Sequence, residues 1–152
     1  MENVFMKDHE LWLSIAQEDL ASAKHLFAVP FTTALFHIQQ CAEKALKAYL
    51  VLKNGSAIKT HDLIWLTTVC IRIDKRFEIL RLFVSIINPY QTAGRYPEPG
   101  FIKPNREEIE KAITQSEFIL DFVIERCYFY NLQKFSKKHI PLKKRNKEEL
   151  SQ

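Results

Sequence analysis

Three short stretches carry side chains suited to chemistry. The first is "NPYQTAGRYPEPG" (88–100), where Tyr90, Arg95 and Tyr96 stand among prolines and glycines. Arg95 offers a planar fork for phosphate or carboxylate, and the tyrosines can stack on a base or a guanidinium. The same residues could instead cover a bundle end, with Arg95 on the open carbonyls of the preceding helix. The second is "KTHDL" (59–63), which puts His61 at the start of a helix, where free amides favour anions. The plainer reading is that Thr60 caps, Asp62 complements the dipole and His61 is solvated. The third is Gln39, Glu43 and Lys47, stacked on one helix face with Lys44 beside them. A Glu four residues before a Lys is also an ordinary surface ion pair, worth only ~0.2–0.5 kcal/mol.

Other chemistry finds little support. There is no glycine-rich phosphate loop, no His-Glu-x-x-His and no Gly-x-Ser-x-Gly. His9 and His25 fall on the first helix, where a surface position is the default, and His37 and His139 stand apart. None has a partner at metal-ligand spacing, so we expect neither metal nor cofactor. Cys41, Cys70 and Cys127 are far apart in apolar surroundings, which predicts buried reduced thiols in a cytoplasmic protein. No apolar run is long enough to cross a bilayer, and the first residues do not follow the secretory-signal pattern.

The elements that must hold these residues read as helices. The chain has 152 residues, enough for one domain, and only three glycines. Apolar residues recur at three- and four-residue steps over about 8–28, 32–53, 61–72, 75–87 and 105–135. Asp8, Thr32 or Thr33, and Thr60 are candidate caps, Asn54-Gly55 is a stop, and Asn105 to Glu108 forms a capping box. The stretch 88–104 reads as a loop. Short connections between such helices specify an all-α, up-and-down antiparallel bundle of four to five helices. Residues 118–130 are apolar on most sides, which suits a central helix or one shared with a partner. We expect one domain over 1–135 and a basic tail over 136–152. From Lys134 onward seven Lys/Arg face two Glu, which leaves the body of this +4 chain near neutral. A tail of that kind can touch RNA, but its aromatic residues precede its charges rather than interleave with them.

In order, "LWLSIAQEDLASAKHLF" (11–27), "FHIQQCAEKALKAYL" (36–50), "KTHDL" and "PYQTAGRYP" (89–97) resemble the pattern of HEPN-domain proteins. The likeness spans most of residues 8–130. It implies an HEPN-like helical bundle, usually a homodimer, that binds a nucleotide or a minimal nucleotidyltransferase partner, often within a toxin–antitoxin-like pair. The motif positions fall on Gln40, Glu43, Lys44, Lys47, His61, Asp62, Tyr90, Arg95 and Tyr96, with Pro97 after them. The family pattern has an acidic residue between the tyrosine and the arginine, and Gln91 to Gly94 holds none. HEPN ribonucleases carry an Arg followed after four to six residues by His. No arginine here is followed that way: after Arg95 come Gly100, Phe101 and Ile102, and after Arg126 come Asn131, Leu132 and Gln133. We therefore expect a non-catalytic binding protein. The alternatives are an RNA-cleaving toxin with a non-standard site, or a purely structural dimerisation module.

Overall fold

A computed structural model describes residues 7–27, 32–92, 99–100 and 102–138. Among them five α-helices follow in order: α1 (Asp8–Leu26), α2 (Thr32–Asn54), α3 (Leu63–Ile73), α4 (Arg81–Ile87) and α5 (Arg106–Lys138). Two 3-10 segments, Lys75–Leu80 and Asn88–Gln91, flank α4, and there is no strand among the described residues. The all-α bundle expected from periodicity is the one observed.

α2 is the central member. It packs along α1 and α5 and meets α3 and the second 3-10 segment at its sides. From Cys41 to Val51 every residue but Lys44 is buried. Phe77, wholly buried, meets the Tyr49 ring at 4.5 Å and the edge of Phe122 at 5.1 Å. These contacts fasten the 3-10 segment before α4 onto α2 and α5. A buried Ser116 hydroxyl donates to the Ile38 carbonyl at 2.9 Å and joins α5 to α2.

Several boundaries differ from expectation for local reasons. α1 begins at Asp8 itself, because Glu10 accepts the Lys7 amide at 3.0 Å from inside the first turn. α3 is capped by Asp62, not Thr60: its carboxylate accepts the amides of Ile64 at 2.9 Å and Trp65 at 3.3 Å. Thr60 supports that turn by accepting the Asp62 amide at 3.2 Å. His61 therefore precedes the helix instead of standing in its first turn. The supposed loop at 88 starts as a 3-10 turn, since Pro89 lies at its beginning, where a missing N–H costs nothing. The capping box at α5 is present in both directions. Asn105 accepts the Glu108 amide at 2.9 Å, and Glu108 accepts the Asn105 amide at 2.7 Å. α5 runs on through Lys138, past the boundary expected at Phe135.

Candidate functional site

The α-helical repeat puts Gln39, Glu43 and Lys47 in one row, and the fold covers that row. All three are buried, with Glu43 3% and Lys47 7% exposed. A surface ion pair is thus ruled out, because the row faces α1 and the turn into α3. Lys47 donates to Glu43 Oε1 at 2.8 Å, and its ammonium sits 5.7 Å from the centre of the Trp12 ring on α1. Gln39 donates to Glu43 Oε2 at 3.1 Å and to the His61 carbonyl at 3.1 Å. Gln40 donates to Glu43 Oε2 at 3.2 Å and to Gln39 Oε1 at 2.8 Å. His61 Nδ1 lies 3.0 Å and 3.2 Å from the two carboxylate oxygens.

Burial alone would push the Glu43 carboxyl pKa up. Hydrogen bonds from Lys47 and Gln39, the Lys47 charge and the His61 contact outweigh that and hold it below its ordinary value. An ionised Glu43 only accepts, so the proton between it and His61 belongs to Nδ1. Nε2 is left as the free ring nitrogen on a side chain that is 63% exposed. The result is an imidazole fixed from behind by a buried carboxylate and open in front. Lys47 is committed to Glu43 and offers no free ammonium to a ligand.

A second network lies beside the first on α2. Asp19, on the buried side of α1, receives Lys44 and contacts His37 Nδ1 at 2.8 Å. Asp19 belongs to the first-helix stretch that carries the family likeness but is not among the candidate site residues, yet a signal was there. It stands three residues after Ala16 and four before Ala23, on a face it shares with buried Ala16, Leu20 and Ala23.

The third motif reaches the same end of the bundle. Asn88 accepts the Leu63 amide at 2.8 Å, so the start of the 88–100 stretch is tied to the turn that carries His61. Tyr90 is a core residue, 9% exposed, and burial and then the Glu108 charge push its hydroxyl pKa up. It lines an opening of about 480 Å³ with Ile86, Ile102, Glu108 and Gln115. Its ring is not available for stacking as an exposed platform. Arg95 and Tyr96 lie outside the described residues, as do Pro97 and His139.

The remaining expectations distribute simply. Asp62 is occupied as the α3 cap. His25 is exposed, but His9 is buried at 5%, where desolvation lowers its pKa. All three cysteines are buried, and burial pushes Cys41 and Cys127 up to about 12 and Cys70 upward as well. Among the described residues no three His, Cys, Asp or Glu side chains converge at metal-ligand spacing. No described helix is long and apolar enough to cross a membrane.

Known proteins share this fold. The HEPN domain family matches residues 9–127. A protein of Methanocaldococcus jannaschii named "Putative toxin MJ1304" is 29% identical over 133 residues, which is 78% of this chain and 87% of that protein. The crystal structure of TT1696 from Thermus thermophilus superposes with a TM-score of 0.70 at 28% identity, covering 79% of this chain and 98% of the other. ST0689, described as an archaeal HEPN homologue, has the same fold, with a TM-score of 0.63 at 23% identity and coverage of 80% and 99%. The family match spans most of the chain and the helical bundle agrees with it, and the chain belongs to the HEPN domain family.

Proposed function

We propose that this chain is a non-catalytic binding member of a toxin–antitoxin-like pair, which takes a nucleotide or the surface of a minimal nucleotidyltransferase partner at the His61 turn. The observation that carries this reading is the His61 side chain. It is anchored on buried Glu43 through Nδ1 on a side chain that is 63% exposed, so its imidazolium form can donate from Nε2 to a phosphate or a partner carboxylate with the ring already positioned. In this reading Arg95 meets the phosphate and Tyr96 stacks on the base. Lys47, Gln39 and Gln40 hold Glu43, and Asp62 fixes the turn. The chain acts as a homodimer. Titration calorimetry with a panel of nucleoside triphosphates tests the nucleotide claim. Heat that is lost in both Arg95→Ala and His61→Ala is expected. Absent heat, or unchanged affinity in both variants, removes it.

One observation favours a second reading. A carboxylate-backed imidazole with a free Nε2 is also the arrangement of a general acid or base. The similarity to a protein named as a toxin points the same way. Incubation of the purified protein with total RNA separates the readings. Metal-independent cleavage that disappears in His61→Ala would replace the binding reading with this one.

A further inference from the structure

A cleft of about 250 Å³ opens between the end of α2, the Asp74 turn and the second half of α5. Lys53, Lys75, Arg76 and Arg126 line it against a single carboxylate, Asp74. That carboxylate is already neutralised: Arg76 grips it with Nε on Oδ1 and Nη2 on Oδ2, both at 2.8 Å. Lys53 has no carboxylate within ion-pair distance among the described residues. Its ammonium rests 3.9 Å from the centre of the Tyr130 ring and 5.8 Å from that of Tyr49. Arg126 is the more unusual group. Its side chain is 11% exposed, and its guanidinium lies 5.7 Å from the Phe122 ring centre and 5.2 Å from that of Phe129. It donates from Nη2 to Glu125, an exposed neighbour, at 3.0 Å, while its buried Nε–H finds no acceptor among the described residues. A buried guanidinium donor without an acceptor is costly, and native proteins seldom carry one without a reason.

We propose that this cleft is a phosphate-binding site, separate from the His61 turn, in which Arg126 and Lys53 ligate the phosphate oxygens. A guanidinium matches phosphate through charge-assisted, often forked, hydrogen bonds, and Arg126 has donor capacity to spare. Lys53 adds a point charge from the facing helix, and its aromatic bed leaves that charge unneutralised. The volume lies below the about 300–1,000 Å³ typical of clefts that enclose a whole ligand. It suits one phosphate group of a larger molecule. Two sources share that chemistry, a free phosphorylated compound and a nucleic-acid backbone.

Amide NMR of the full chain, titrated with pyrophosphate, ADP and a short single-stranded oligouridylate, tests the site and separates the sources. Shifts are expected to gather on Tyr49, Lys53, the Asp74 turn and the Arg126 end of α5. Lys53→Gln should weaken them about tenfold or more, the share of one charged hydrogen bond. Arg126→Gln should do likewise if it folds, which its circular dichroism melt will show; Lys53, on the rim, keeps the test valid if it does not. Saturation by pyrophosphate and ADP alone identifies a free phosphorylated compound. Tighter, salt-sensitive saturation by the oligouridylate identifies a backbone. No shifts with any of the three, shifts confined to the His61 turn, or shifts unchanged in Lys53→Gln would overturn the proposal. Because the readout is resolved by residue, this cleft can fail while the His61 site stands, and the reverse.

Discussion

Glu43→Gln should be far more damaging than so small a change suggests. The carboxylate receives donors on both oxygens: Lys47 and His61 on Oε1, Gln39, Gln40 and His61 again on Oε2. A glutamine side chain has one acceptor and one amino group. In either orientation its amino group confronts donors that have no lone pair to offer. The substitution also leaves the Lys47 ammonium in the interior, with its side chain 8% exposed and its counter-charge gone. Removing one partner of a buried ion pair typically costs about 3–5 kcal/mol. In a chain of this length each kcal/mol lowers the midpoint by roughly 2–4 °C, so a loss on the order of 10 °C is expected. Thermal and urea unfolding of wild type, Glu43→Gln, Lys47→Met and the double variant form the experiment. The double variant should cost clearly less than the two single losses together, because it removes the orphaned charge. A loss below about 1 kcal/mol for Glu43→Gln, or strict additivity in the cycle, would refute the account of a buried carboxylate that organises its neighbours.

Three further outcomes follow from the same structure. Glu43 has its carboxyl held below the ordinary 4.5, so its network contributes stability above that value and loses it as pH falls through the depressed one. The stability difference between wild type and Glu43→Gln should therefore shrink below pH 4.5, and a constant difference in urea midpoints would count against it. Asp62→Ala removes the acceptor for two α3 amides and should cost about 1 kcal/mol, read as a fall in the melting temperature; an unchanged melt would deny Asp62 the capping role. A thiol-reactive disulfide reagent should leave the native chain unlabelled and modify three cysteines once it is unfolded, since burial keeps the thiols protonated. Fast labelling of the native protein would contradict that.

The helices were legible because periodicity and caps report directly on local geometry. The Asn105–Glu108 box and the apolar face of α2 are visible in the residue order alone. What periodicity does not report is which face a neighbour covers. The row Gln39, Glu43 and Lys47 is aligned by the helix, but only Trp12 and the turn at His61 convert it from surface to interior. The α3 cap was ambiguous because Thr60 and Asp62 both offer an oxygen, and the backbone between them decides. By residue type Tyr90 suits a stacking surface and a bundle-end cover equally, and the 3-10 turn that includes Pro89 decides for the second by sending it into the core. The cleft at Arg126 had no linear signal at all. Its cations come from α2, from the Asp74 turn and from α5, and nothing local marks them as neighbours.

The two buried carboxylates also act as positional keys. Apolar faces tolerate sliding, since one leucine contact resembles another. A carboxylate with fixed donors does not. Asp19 locks α1 to the Lys44 level of α2, and Glu43 locks the His61 turn to the Lys47 level. A slip of one helical turn along α2 would leave both acids facing the wrong partners in a dry interior. The register of the first three helices is thereby specified by charge, not by fit alone, and the height at which His61 emerges from the bundle is set along with it.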